Sequence, residues 1–150
     1  MEKQIFTIGY TIPTFDENRV DFYDGASLMD ADILLISPES FEPRGSWIEF
    51  SSGGGCYNAP TSSEYEKKIS HLKKEVTDFL QSGKSVFIIL SKEESHLLSS
   101  GVSHPRKGEN LHSTYTKTNY DFLPISIGTL VSASGKNIEF SGNPLFSNFH

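Results

Sequence analysis

Two short, unbroken apolar runs stand out along the chain. Ile33-Leu-Leu-Ile36 is entered through Met29-Asp-Ala-Asp32 and closed by Ser37-Pro38, and Ser85-Val-Phe-Ile-Ile-Leu90 follows Gly83-Lys84. Neither run has a polar side. A strand covered on both faces reads this way, because helices leave no face of a parallel sheet to the solvent. Between them, Tyr65, Ile69, Leu72, Val76 and Phe79 recur at steps of four, three, four and three residues. That spacing predicts one helix from Thr61 to Ser82 with a single apolar stripe. Ser63 with Glu66, or Thr61 with Glu64, offers a capping box at its start, and Gly83 suits a left-handed C-terminal cap. The stripe is expected to pack on Ile33, Leu35, Val86 and Ile88. Strand, helix and strand make a parallel crossover unit, so the predicted class is α/β, a three-layer sandwich around a mostly parallel sheet.

The remaining pattern is weaker. Lys3 to Thr11 mixes alternation and continuity and predicts a first strand ended by Pro13, with loop from Thr14 to Asp24. Glu39 to Pro60 reads as a long insertion in which Trp47-Ile-Glu-Phe50 forms an edge strand or hairpin arm. Its Gly53-Gly-Gly55 triplet is a flexible turn or, less in keeping with base expectation, a binding loop. Ser91-Lys-Glu-Glu94 is a second capping pattern, which predicts a short helix over Glu93 to Leu98. The polar stretch from Gly101 to Asn119 reads as loop, Tyr120-Asp-Phe-Leu-Pro124 as an aromatic segment on the sheet edge. Ile125 to Val131 and Asn137 to Phe140, around Ser134-Gly-Lys136, predict a late antiparallel hairpin.

A chain of 150 residues is one domain by size, 1-150, either standing alone or as the N-terminal domain of a longer protein. Its formal net charge of -6, with no run of more than two cations, argues against a nucleic-acid-binding surface. No apolar segment is long enough to span a bilayer, and Met1-Glu-Lys-Gln-Ile-Phe6 lacks a secretory apolar core. One cysteine, Cys56, excludes an internal disulfide and fits a reducing compartment. The expected location is cytoplasmic, with no membrane contact; homo-oligomerisation is left open.

Cys56 is the first candidate nucleophile, lying ahead of the predicted helix start, where a helix terminus lowers a thiol pKa. A plain loop cysteine is the competing and preferred reading, with Cys56→Ser expected to change nothing measurable. Ligands of open α/β sheets gather at the carboxyl ends of strands. That rule nominates Ser37, Glu39, Ser91 and the Gly53–Cys56 loop, with Arg44. His71, His96, His104, His112 and His150 show no metal-ligand spacing, so no metal and no cofactor is expected. Asp30 and Asp32 precede a strand and read as turn residues.

Leu28 to Pro38, the long loop after it, the Thr61–Gly83 helix and the Lys84–Leu90 strand together resemble the class I glutamine amidotransferase-like (flavodoxin-like) fold. The resemblance covers less than half of the chain and is one of topology. It implies an elbow of the form Gly-x-Cys-x-Gly after the strand. Here Ser91-Lys-Glu-Glu-Ser95 has neither the cysteine nor the glycines, so the resemblance is to a domain without the catalytic elbow. Two functions follow. The favoured one is a non-catalytic recognition or regulatory module that binds a protein partner, a small ligand or the rest of a longer chain. Its binding residues would be Glu39, Arg44, Trp47, Gly54 and Tyr57, with Trp47 and Tyr57 foremost. The alternative is a degenerate amidotransferase-like hydrolase with Cys56 or Ser91 as nucleophile. On the favoured reading Ser51 to Asn58 is a deletable loop.

Overall fold

A computed structural model of the chain describes residues 3–9, 18–106 and 109–125. They form two four-stranded sheets that share one long helix. Sheet A holds β1 (Ile5–Ile8), β2 (Arg19–Val20), β3 (Ile33–Ile36) and β6 (Ser85–Ile88), all parallel, in the order β2-β1-β3-β6. Sheet B holds β4 (Trp47–Glu49), β5 (Gly55–Tyr57), β7 (Ser95–Arg106) and β8 (Glu109–Thr118) in the order β4-β5-β7-β8. It is mixed: β4–β5 and β7–β8 are antiparallel, and β5–β7 is parallel. The helix α1 runs from Ala59 to Gln81. The class is α/β. The late hairpin expected over Ile125 to Val131 and Asn137 to Phe140 lies almost wholly outside the described residues.

The helix forms where its stripe predicts. Tyr65, Ile69, Leu72, Val76 and Phe79 are all buried in one core with Ile8, Leu34 and Ile36. Its start differs from the expected capping box. Asn58 is the N-cap, its side-chain oxygen accepting the Thr61 N–H at 3.0 Å, with Pro60 in the first turn where its missing donor costs nothing. The expected partners Ile33 and Leu35 are also corrected. In register, Phe6, Leu34 and Val86 lie side by side, as do Ile8, Ile36 and Ile88. These face α1, whereas Ile33, Leu35 and Phe87 face away. Apolar residues at every position of a parallel strand hide its parity, and periodicity alone left that choice open.

Two larger corrections concern sheet B. The long insertion is a β-hairpin: β4 and β5 pair through Trp47↔Tyr57, Ile48↔Cys56 and Glu49↔Gly55. Ser51–Gly54 is its turn, with Gly53 and Gly54 at φ 90° and 77°, and no atom waits within 4 Å of a side chain added at either. Both glycines supply the positive φ that this turn requires. The segment from Ser91 onward holds no helix among the described residues. Ser95–Arg106 and Glu109–Thr118 are the arms of a long antiparallel hairpin, with a register shift between Ser99 and Ser103. All of Ser100 to Pro105 is exposed, so this ribbon has no buried face to imprint an alternating pattern on the sequence.

The helix holds the two sheets to each other. Its first turns serve sheet B: the Ser62 hydroxyl donates to the Tyr57 carbonyl (3.1 Å) and accepts the Ser99 N–H (2.9 Å). Its last turns put Leu72, Val76 and Phe79 against sheet A. An aromatic seam joins the halves, Phe22 stacked on Phe41 at 4.4 Å, and Tyr65 edge-on to His96 at 5.5 Å.

Candidate functional site

The carboxyl ends of β1, β3 and β6 lie at one edge of sheet A, and among the described residues the chain after β3 closes over the end of β1. The 3-10 turn Pro38–Ser40 folds over it, and the Ser40 hydroxyl donates to the Gly9 carbonyl at 2.6 Å. Gly9 has φ 82°, and a side chain there would collide with the Ser37 carbonyl, Ser40 and Phe41. Glu39 is exposed on this turn and Ser37 is buried beneath it. Asn119 ties the edge together, its amide donating to the Pro38 and Lys92 carbonyls at 3.3 and 3.2 Å.

Ser91 belongs to the same latch. Its N–H donates to the Tyr120 hydroxyl (2.8 Å), which donates in turn to the Ser91 carbonyl (2.8 Å). Its own Oγ lies 3.4 Å from that phenol, and no histidine or carboxylate bonds to it among the described residues. Held this way, Ser91 fixes the exit of β6 to Tyr120. Cys56 is fully buried on β5, and burial pushes its thiol pKa up. A nucleophile needs the opposite shift and an open approach.

Of the other candidates, Arg44 lies just before β4, and Trp47 and Tyr57 face each other across β4 and β5. Arg44 pairs with Asp21 at 3.0 Å and lays its guanidinium 4.5 Å from the centre of the Tyr23 ring. The Tyr23 hydroxyl accepts the Arg44 N–H (3.0 Å) and donates to the Glu42 carbonyl (2.8 Å), while Lys68 donates to the Tyr23 carbonyl. Partial burial raises the Asp21 carboxyl. The Tyr23 N–H and the Arg44 bond and charge, helped by Arg19, outweigh it and leave the carboxyl below its ordinary range. Burial pushes the Tyr23 phenol up; Arg44 opposes this, and Glu64 and Tyr57 add to it. Trp47 packs edge-on to Tyr57 at 5.1 Å and keeps 49% of its surface exposed. Gly55 lies directly under the indole, where any side chain would strike Nε1 and Cε2. Gly54 is apart from this group, at the hairpin tip.

The structure thus divides the sequence-predicted residues. Arg44, Trp47 and Tyr57 come together, Glu39 and Ser91 lie on the separate carboxyl edge, and Cys56 is inside. Tyr23 and Asp21, which hold Arg44, were missed because they sit in a stretch read as loop. Among the described residues no group of histidine, cysteine and carboxylates could hold a metal, and no helix is long and apolar enough to cross a membrane. His104 and His112 lie on facing arms of the β7–β8 hairpin, where His112 stacks on Phe50 at 6.5 Å. A cavity of about 20 Å³ between β1, β2 and α1, bordered by Asp21, His71 and Glu75, has room for a water molecule. Comparison with protein-family models, curated proteins and solved structures finds no match to the chain.

Proposed function

We propose that the protein is a non-catalytic recognition module whose contact surface is the Tyr23–Arg44–Trp47–Tyr57 group. The observation that carries this reading is the half-exposed Trp47, held by Tyr57 and a bare Gly55 beneath it. Tryptophan, tyrosine and arginine are the side chains that most often dominate binding energy, because they bury large area at small entropic cost. Here they are fixed in place before any partner arrives. The partner is a protein surface, in another molecule or in the rest of a longer chain.

The amidotransferase-like relationship and the three-layer arrangement belong to the same proposal. Numbered within sheet A alone, the strands run 2-1-3-4, the beginning of the flavodoxin-like order 2-1-3-4-5. Thr7, on the face away from α1, is only 1% exposed, and Leu35 beside it is half-buried, which suits a sheet with a layer on each side. The non-catalytic assignment draws its support from the buried Cys56 and the latched Ser91.

The test is differential capture. Immobilised wild-type chain, Trp47→Ala and the distant, equally exposed Leu80→Ala are compared for proteins retained from an extract of the source cells. Partners kept by wild type and Leu80→Ala and lost by Trp47→Ala are the expected result. Retention by all three variants, each folded by circular dichroism, would remove this surface from consideration.

A further inference from the structure

The backbone of β4 carries information beyond its side chains. Phe50 N–H donates to the Gly54 carbonyl and Asn58 N–H to the Ser46 carbonyl, both at 2.9 Å. With Trp47↔Tyr57, Ile48↔Cys56 and Glu49↔Gly55 in register, these bonds mark every second pair of the antiparallel ladder. Bonded and non-bonded pairs alternate, so Ile48 exchanges hydrogen bonds with Cys56, and the N–H and C=O groups of Trp47 and Glu49 point outward. Sheet B ends at β4, and among the described residues no strand meets those groups. Trp47 and Glu49 are also the two exposed residues of the strand, while Ile48 between them is half-buried.

An exposed edge of this kind is where an extended peptide adds as a further strand, the ladder supplying affinity and alternate side chains supplying selection. The charges around it favour one sign. Glu49 on the strand and Glu42 close by are exposed and have no ion-pair partner among the described residues. Of the cations beside it, Arg44 is paired with Asp21 and Lys68 donates to the Tyr23 carbonyl. The half-exposed indole next to Glu49 suits a cationic side chain laid on its ring. A second copy of the chain would bring the same carboxylates and another net charge of -6 to the contact.

We infer that β4 accepts an extended basic peptide segment as a fifth strand of sheet B, with a lysine or arginine lodged between Trp47 and Glu49. This inference rests on the recognition surface proposed above and names its partner. Being three residues long, the edge offers two outward N–H and two outward C=O groups, so a single peptide binds weakly and its ladder contributes as much as its charge.

The probe is an acetylated, amidated heptapeptide alternating valine and lysine, titrated into the full chain. Trp47 is the only tryptophan, so its emission reports docking directly. A saturable change in that emission is expected, with amide shifts centred on Trp47 and Glu49. The same peptide with glutamate for lysine should bind about tenfold more weakly. The lysine peptide N-methylated throughout should not bind, and Glu49→Lys should reverse the preference between the charged peptides. Equal binding of the N-methylated peptide would overturn strand addition, and equal binding of the glutamate peptide would overturn the charge assignment. Shifts centred on β8, absence of saturable binding, or self-association of the chain through β4 would each overturn the inference outright. If peptides fail while Trp47→Ala still loses captured partners, the recognition surface stands and only its strand-adding mode falls.

Discussion

Tyr65 is fully buried at the junction of the two sheets, its hydroxyl donating to the Phe41 carbonyl at 3.2 Å. Burial, then the neighbouring Tyr23, Asp121, Tyr57 and Glu42, pushes its phenol well above the ordinary value. In the unfolded chain the same group titrates near pH ~10. The folded value is the higher one, so the stability it contributes is fully present below the unfolded value and is lost as pH rises through the folded one. Urea midpoints should hold steady from pH 7 to 9 and then fall above about pH 10. Tyr65→Phe should cost about 1 kcal/mol at neutral pH and make that alkaline fall shallower. Cys56 corrects an expectation at the same scale. Its side chain is buried, so Cys56→Ser places a hydroxyl where no partner awaits among the described residues and should cost about 1–3 kcal/mol. Iodoacetamide should label it far more slowly in native buffer than in urea; equal rates would mean the thiol is open.

Among the elements, the α1 stripe was legible because its buried residues, from Tyr65 to Phe79, repeat at helical period over about four turns. β3 and β6 were legible because apolar runs of that length have few other uses. The rest left fainter marks. β5 is three residues, Gly55-Cys-Tyr57, between a glycine turn and an asparagine cap, too short for any period to register. The first arm of the β7–β8 hairpin is exposed from Ser100 to Pro105, and with Gly101 and Pro105 in it that arm reads as loop. Of the candidate site, Trp47 and Tyr57 were nominated from residue type and Arg44 from the carboxyl-edge rule; the meeting of Trp47 and Tyr57 depends on a hairpin register that sequence pattern does not carry. The hairpin also reverses the expectation for Ser51 to Asn58. Deleting it removes β5 and the helix cap together, and loss of the cooperative unfolding transition is expected in circular dichroism. The cap alone is milder: Asn58→Ala should cost about 1 kcal/mol. Within the parallel sheet, the corrected parity sets two phenylalanines apart. Phe79→Ala should cost about 3–5 kcal/mol by urea denaturation. Phe87, 52% exposed on the opposite face, should cost less than about 1 kcal/mol when cut to alanine.

For the whole molecule, the question is whether two sheets make one folding unit. α1 packs Val76 and Phe79 on sheet A and bonds Ser62 and Glu66 to sheet B, through Tyr57, Ser99 and Tyr115. Neither sheet can lose the helix and keep its core. Denaturant curves from Trp47 emission, which reads sheet B, and from helical circular dichroism should therefore coincide. Separate midpoints would show that the β4–β5 side opens first, as binding surfaces of low local stability do.

The Asn119–Tyr120 latch sets a direction in time. Asn119 reaches the Pro38 carbonyl across 81 positions of chain, and Tyr120 closes on Ser91 across 29. On the ribosome, β1, β3, α1 and β6 all emerge before either residue exists outside the tunnel. The exit of β6 and the turn over Gly9 must wait, their carbonyls open to water, until synthesis has passed both arms of the β7–β8 hairpin. Contacts that span such separations form late, because the entropy of closing the loop precedes any gain from the bonds. The nascent chain thus carries the carboxyl edge of its parallel sheet unsealed from the emergence of β6 until that of Asn119, and a translational pause between them would prolong its exposure to chaperones.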